Sequence, residues 1–288
     1  MDKKKRKKIQ KGVRFGIQAI FFFMAPALFT SAFSGIKYIV QQLHAGAILS
    51  WNPFLTALVL LGGFTILFGR FFCGYACAFG TLGDVLYFIS AALQKKLKKK
   101  LPVIPAKADE VLKKVKYIVL AGIVTLILLG VYDRLSGTSP WDVFSRITSL
   151  KLPTRQYLPG ILILVVIMVG MIWEERFFCK YLCPMGAVFS ILPIFPMSLY
   201  KRDRENCIRG CSACKRMCPV KLDIDGDSTQ SGECIQCNQC VEVCPKSNIS
   251  LGLFQLVGKG KVHGNELWFI IGKAVLLLAG CYFAGFIR

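Results

Sequence analysis

Arg70-Phe71-Phe72-Cys73-Gly74-Tyr75-Ala76-Cys77-Ala78-Phe79-Gly80 returns as Arg176-Phe177-Phe178-Cys179-Lys180-Tyr181-Leu182-Cys183-Pro184-Met185-Gly186, at a constant offset of 106 residues without a gap. Seven positions match in one frame, which reads as a duplicated unit. Each copy follows an apolar run opened by aromatic-x-Pro, Trp51-Asn52-Pro53 and Tyr157-Leu158-Pro159. Cysteines four apart share one face of a helix. Pairing the copies therefore brings Cys73, Cys77, Cys179 and Cys183 together as a fourfold sulfur site at a membrane surface. Soft thiolates in that number suit an iron–sulfur cluster, zinc or Cu(I), or act as redox dithiols. One such pair alone reads as two small buried hydrophobes; two pairs in an identical frame read as a site.

A second cysteine system lies further along. Cys207-x3-Cys211-x2-Cys214-x3-Cys218-Pro219 is followed by Cys234-x2-Cys237-x2-Cys240-x3-Cys244-Pro245. The second run has the spacing of bacterial ferredoxins, and the first differs by one extra residue in its opening gap. In two-cluster ferredoxins the fourth cysteine of each run crosses to the other cluster. The expected ligand sets are Cys207, Cys211, Cys214 and Cys244 for one [4Fe–4S], and Cys218, Cys234, Cys237 and Cys240 for its neighbour. Zinc sites also use C-x2-C pairs but do not demand Cys-Pro endings. Disulfides are disfavoured for eight cysteines so close together on a reducing face.

The 288 residues are 54% hydrophobic, with 22 Phe, and the mean hydropathy is +0.52. That is too apolar for a soluble protein of this length and predicts membrane spans. Apolar stretches run over 15–33, 53–68, 117–132, 158–173 and 267–287. The middle three are short against the usual ~20 residues, and Trp51, Tyr157 and Trp173 extend them into the headgroup layer. Lys273 interrupts the fifth and must snorkel or face a partner. The formal charge of +21 falls to about +17 once eight thiolates and two oxidised cluster cores are counted. Its distribution follows membrane orientation. Lys3-Lys4-Lys5-Arg6-Lys7-Lys8 and the loop 95–116 are heavily basic, whereas 37–51 carries one lysine. The basic segments and the cysteine-rich insert are therefore expected in the cytoplasm, attracted to anionic lipid rather than to nucleic acid. No cleavable signal peptide is expected.

The fold class expected is mainly α: polytopic membrane helices in two parallel repeats of four to five spans, with an inserted small α+β two-cluster domain. The boundaries read as a basic N-terminus 1–14, membrane repeats 15–94 and 117–200 separated by the basic loop 95–116, the two-cluster domain 201–255, and 256–288 as linker and candidate fifth helix. The segments 81–93 and 187–200 look interfacial or re-entrant, the second broken by Pro193 and Pro196.

Two R-F-F-C-x3-C motifs, the second followed by Pro184-x-Gly186, with a cytoplasmic twin-cluster insert, resemble the NapH-type membrane ferredoxins and the C-terminal half of NosR-type proteins. The resemblance spans about Phe15 to Leu251. It implies a 4Fe-4S electron-transport subunit of the cell membrane that takes electrons from quinol or a ferredoxin-like donor. These pass toward an extracytoplasmic reductase, cytochrome or flavoprotein. The eight and the four cysteines above carry over as ligands. Ala78 departs from the pattern, which has proline there in the second copy. NosR-type proteins also carry a flavin domain, so any flavin is expected from another subunit.

Other chemistry finds little footing. His44 and His263 are the two histidines and lie on opposite sides of the expected membrane; neither C-x2-C-H nor G-x-G-x-x-G occurs, so c-type haem and a resident NAD site are not expected. Ser136-Gly137-Thr138-Ser139 reads as a plain loop rather than a covalent flavin site. Quinol oxidation needs a proton acceptor, and Asp84, Glu174 and Glu175 are the carboxylates near the motifs, Glu174 or Glu175 being expected to pair with Arg176 or Arg70. A metal-handling accessory role, reducing or binding copper during oxidase assembly, is the alternative function. A redox-sensing regulator ranks behind it for want of an output module.

Overall fold

The computed structural model describes residues 3–99, 101–102, 104–135, 139–149, 155–192, 198–202, 207–222, 232–253, 261–262 and 266–287. Eight helices precede the insert. They are α1 (Lys3–Met24), α2 (Leu28–His44), α3 (Pro53–Phe68), α4 (Ala78–Leu97), α5 (Ala106–Leu128), α6 (Pro140–Thr148), α7 (Leu158–Trp173) and α8 (Pro184–Ile191). Single π turns at Phe72–Ala76 and Phe178–Leu182 separate α3 from α4 and α7 from α8.

The element order of residues 3–97 recurs over 106–191, and so do the packing partners. α1 lies on the first π turn and on α4, as α5 lies on the second π turn and on α8. α2 packs on α3 as α6 packs on α7, and the halves meet where α4 crosses α7 and the second π turn. The correspondence of elements thus extends upstream of Trp51, where matching residues first become visible.

Local sequence explains the entries. Asn52 caps α3 by accepting from the Leu55 N–H at 2.8 Å, and Pro53 supplies a preset φ at the first helical position. Ser139 and Pro140 repeat this device at α6. Helix α7 is apolar on every side. It buries Leu164, Ile167, Gly170 and Met171 but exposes Leu162, Val165, Val166 and Val169, the pattern of a helix whose outer face is not meant for water.

The expected spans need revision. The apolar stretch 15–33 is not one helix: α1 and α2 are bent by 61° across a break that holds Pro26, whose ring and missing N–H interrupt a helix. Among the described residues one helix is long and apolar enough to cross a membrane unaided, α11 (Glu266–Phe283), and the bent α1–α2 pair qualifies as a second. Helices α3 and α7 have 16 residues each, about 24 Å at 1.5 Å per residue, against a ~30 Å hydrocarbon layer. Nor is 81–93 a short interfacial piece; it belongs to the 20-residue α4. Its counterpart α8 stops at Ile191; Pro193 and Pro196 lie outside the described residues, as do 136–138 and His263.

The insert contains the short helices α9 (Ala213–Arg216) and α10 (Gln239–Val243). Strands β1 (Ser198–Arg202), β2 (Ile249–Leu253) and β3 (Lys261–Val262) form an antiparallel sheet in that order. Strand β1 enters the insert and β2 leaves it, paired from Ser198↔Leu253 to Arg202↔Ile249. The sheet therefore zips the two ends of the cysteine-rich segment together, over a small core of Tyr200, Cys214, Val241 and Ile249.

Helices α2 and α3 approach most closely at Gly35. A Cβ there would sit 2.5 Å from the Phe54 carbonyl oxygen and 2.9 Å from the Leu58 Cβ, neither of which can swing aside. Gly35→Ala should lower stability by about 1–3 kcal/mol through overpacking, read as an earlier thermal transition in detergent. An unchanged transition would mean the two helices are not held at this spacing.

Candidate metal centres

The two motifs adopt the same backbone, and it is not the one the spacing suggested. Cys73 and Cys179 lie inside π turns, while Cys77 and Cys183 have already left them, at φ/ψ of −73/119° and −73/113°. The N–H of each second cysteine reaches back five residues, to the Phe72 and Phe178 carbonyls, at 2.9 Å in both cases. The widened turn is what aims both sulfurs inward; single π turns of this kind gather at functional sites. Ala78 in place of proline leaves this geometry unchanged, because the first helical residue needs no N–H partner.

All four repeat cysteines are buried. Burial pushes up the thiols of Cys77, Cys179 and Cys183, and each also feels neighbours among the other three. The side chains beside them are exchanged between the halves. Phe178 of the second motif stacks on Phe79 of the first half at 4.7 Å, and Phe72 of the first meets Phe189 of the second edge-on at 6.5 Å.

The arginines cross in the same way. Arg176 donates to the carbonyls of Cys73 and Gly74, the latter at 3.0 Å, and to Asp84 Oδ2 at 2.6 Å. A Cβ on Gly80 would fall 2.2 Å from the Arg176 Nη1, and one on Gly186 would fall 3.0 Å from the Arg70 Nη2. Each motif's glycine is thus the slot for the other motif's arginine. Arg176 itself holds a left-handed backbone, φ 60°, a strain of about 1–3 kcal/mol that such sites retain.

The counter-charges break the symmetry. Asp84 on α4 serves Arg176 and is also bound by Arg14 at 2.8 Å and Gln18 at 2.6 Å. The position 106 residues on is Ser190, which cannot carry charge. Glu233 of the insert takes over. It meets Arg70 at 3.2 Å and Lys116 at 2.5 Å, with Tyr117 donating at 3.1 Å. Burial raises the Glu233 carboxyl, but Arg70 and Lys116 outweigh it and hold it below the ordinary range. Nothing in the sequence marked Glu233, Lys116 or Arg14; the signal available was an acidic residue abutting Cys234 in a strongly basic chain.

In the insert, one cavity is lined by Cys207, Cys211, Cys214 and Cys244 and a second by Cys218, Cys234, Cys237 and Cys240. Each collects three cysteines of one run and the fourth of the other. The fourth cysteines are matched in detail: Leu222 N–H donates to Cys218 Sγ at 3.5 Å and Asn248 N–H to Cys244 Sγ at 3.3 Å. Arg202 donates to Cys207 Sγ at 3.1 Å. Among the described residues no three Cys, His, Asp or Glu side chains approach closely enough to hold a single metal ion.

Two observations test whether an iron–sulfur group fits the repeat cysteines. Arg70 Nε and Nη2 and Arg176 Nε are buried donors without a hydrogen-bond partner, which is costly unless an acceptor occupies the space between the cysteines. The set also lies directly against the inner insert cavity. A Cβ on Gly74 would come 2.2 Å from the Ile235 carbonyl oxygen, and Tyr75 donates to the Cys237 carbonyl at 3.4 Å. The residues present fit the group.

The remaining carboxylates pair differently from expectation. Glu174 meets Lys180 at 3.2 Å and Lys221 at 2.8 Å, and Glu175 accepts from Gln239 at 3.0 Å; neither pairs with Arg70 or Arg176. Lys180 also reaches Asp109, to which Tyr181 donates at 2.5 Å. Burial alone would raise Asp109, but its bonds from Lys180, Tyr181 and Lys113 prevail and hold it at about 2. Burial raises Glu175, more than the Gln239 amide lowers it. Glu174 and Glu175 line a cavity of about 710 Å³ with Tyr87, Lys98, Trp173 and Cys218.

Residues 51–100 and 157–195 match the 4Fe-4S binding domain family, so both segments open at the aromatic-x-Pro of each copy. An uncharacterized protein of Methanocaldococcus jannaschii, MJ0750, is 30% identical over 244 residues, 81% of this chain and 92% of that protein. The putative electron transport protein YccM of Escherichia coli is 26% identical over 249 residues, 85% of this chain and 65% of YccM. The ferredoxin-type protein NapH of Haemophilus influenzae is 26% identical over 209 residues, 65% of this chain and 66% of NapH. The chain thus spans just under two thirds of the length of the last two relatives. No solved structure matches.

Replacing Glu233 by Gln strands Arg70 and Lys116 without their carboxylate. Breaking a buried pair costs about 3–5 kcal/mol, so Glu233→Gln should raise hydrogen exchange over 232–245 while α2 and α3 stay protected. Unaltered exchange there would remove Glu233 as the anchor of the insert.

Proposed function

The chain belongs to the ferredoxin-type 4Fe-4S family that includes NapH and NosR, and from that premise we propose a membrane-bound relay of single electrons through three iron–sulfur centres in series. The outer centre is held by Cys207, Cys211, Cys214 and Cys244, the inner by Cys218, Cys234, Cys237 and Cys240, and the third by Cys73, Cys77, Cys179 and Cys183. The observation that carries this reading is the backbone contact of Gly74 with Ile235, which sets the repeat cysteines against the inner set. Thiolates supply position and charge, and the bound clusters supply the one-electron chemistry. Four buried cysteines beside two buried arginines support a cluster over zinc or Cu(I) at the repeat cysteines.

The two repeats run parallel across the cell membrane, with the basic loops and the insert on the cytoplasmic side. The exposed apolar faces of α7 and α11, with Val166 and Leu276 among them, support contact with lipid. A quinol or ferredoxin-like donor delivers electrons, and a partner reductase or flavoprotein receives them. For a quinol, the cavity beside Cys218 suits the role: its size lies in the ordinary range for a small-molecule site. Its rings, Tyr87 and Trp173, flank a carboxylate, Glu175, that burial has made more basic.

Protein purified anaerobically should carry about 12 iron and 12 acid-labile sulfides. Combining Cys73→Ser with Cys179→Ser should reduce this to about 8 and abolish electron delivery to the partner, leaving the insert's signals intact. Unchanged iron content would sink the third centre, and stoichiometric zinc or copper would replace it with a single-ion site.

Glu175→Gln should slow quinol oxidation on the order of 10²-fold, the usual worth of a general base, without affecting cluster reduction by dithionite. Wild-type quinol turnover in that variant would exclude Glu175 as the proton acceptor.

A further inference from the structure

Arg70 and Arg176 belong to the repeated motif yet ligate nothing. Both are 1% exposed, and each crosses to the opposite half at its glycine slot. Guanidinium groups do not deprotonate in proteins, so the two positive charges beside the sulfurs are permanent. The carboxylates that pair with them are shared with a second cation each, Asp84 with Arg14 and Glu233 with Lys116. Arg70, Arg176 and Lys116 act on the four cysteines, whereas Arg14 lies nearer Cys237 of the insert, so three cations against two carboxylates leave a surplus of one positive charge at the repeat site.

Four thiolates around an oxidised [4Fe–4S] core carry two negative charges, and one-electron reduction adds a third. Burial by itself opposes that extra charge, because water is absent to solvate it. Fixed cations oppose the effect of burial. The unpartnered donors Arg70 Nε and Nη2 and Arg176 Nε add hydrogen-bonding capacity on the side where sulfur would lie. Hydrogen bonds and net charge near the sulfurs are the levers that set cluster potential. In the insert, Cys207, Cys211 and Cys244 are part-exposed and Arg202 bonds Cys207, while Arg14 and Lys273 lie near Cys237 and Cys234 of the inner set.

We propose that Arg70 and Arg176 act as a charge clamp that raises the potential of the repeat centre, so that it accepts an electron from the insert despite its burial. This rests on the reading that the repeat cysteines hold an iron–sulfur cluster. Each transfer moves one electron from a reduced set in the insert to the repeat centre, the electron coming from a one-electron donor outside the chain. The arginines are positioning residues: they touch the ligand sulfurs' surroundings and set a potential.

A redox titration of the full-length protein in detergent, with dithionite as reductant and EPR as readout, tests this. The repeat centre is the signal missing from the Cys73→Ser, Cys179→Ser protein. Arg70→Gln and Arg176→Gln should move its midpoint downward and leave the two insert signals in place. Arg70→Lys and Arg176→Lys should retain a midpoint near wild type. If the Gln variants lose the centre but the Lys variants keep it, the requirement for charge stands. A midpoint indifferent to the Gln variants, or loss of the centre in the Lys variants as well, overturns the clamp. Absence of a third signal from the unaltered protein overturns the relay reading itself, and the clamp with it.

Discussion

A buried guanidinium must find a carboxylate, and Arg70 finds one only outside its own repeats. The interior cost of an unpaired charge is several kcal/mol, and the second half offers Ser190 where the first offers Asp84. Glu233 therefore ties the insert to the helices, and other contacts follow from it. Gly232 lies so close to Ser190 that a Cβ would fall 2.3 Å from its carbonyl oxygen, and Ile235 closes on Gly74. Docking of the insert is a condition of the helical core, not an addition to it.

This asymmetry explains why the halves diverged. Arg14 and Gln18 of α1 close the Asp84 side; Lys116 and Tyr117 of α5 close the Glu233 side. The two helices perform one task with different residues, because one partner is a carboxylate on a neighbouring helix and the other arrives on a loop. Sequence comparison of the halves consequently fails upstream of Trp51, although the elements still correspond.

What was legible follows covalent and steric necessity. The octet's spacing was readable because a cluster demands four sulfurs at short range, and the two cavities collect the sets that the crossing rule predicts. The R-F-F-C motif was readable because its two copies recur in one frame without a gap. The π turn was not, since C-x3-C is also the spacing of one α-helical turn, and only the Cys77→Phe72 and Cys183→Phe178 bonds distinguish them. Composition gave a membrane chain but not its helices: apolarity over 15–33 is continuous, while Pro26 divides the backbone. Ion pairs such as Asp84–Arg176 join residues 92 positions apart, and no local pattern announces them.

The backbone contact between the repeat cysteines and the inner insert set has a further consequence. An electron carrier that binds its neighbour transiently presents side chains across a wet, polar boundary. Here the boundary is main chain against main chain at Gly74 and Ile235, with Tyr75 bonding the Cys237 carbonyl. A side chain larger than glycine at position 74 would hold the two centres apart. On the proposed relay, the distance between the two centres is thus set within one folded unit, which puts the slow, partner-dependent steps at its ends: the part-exposed outer set and the site that receives the electron.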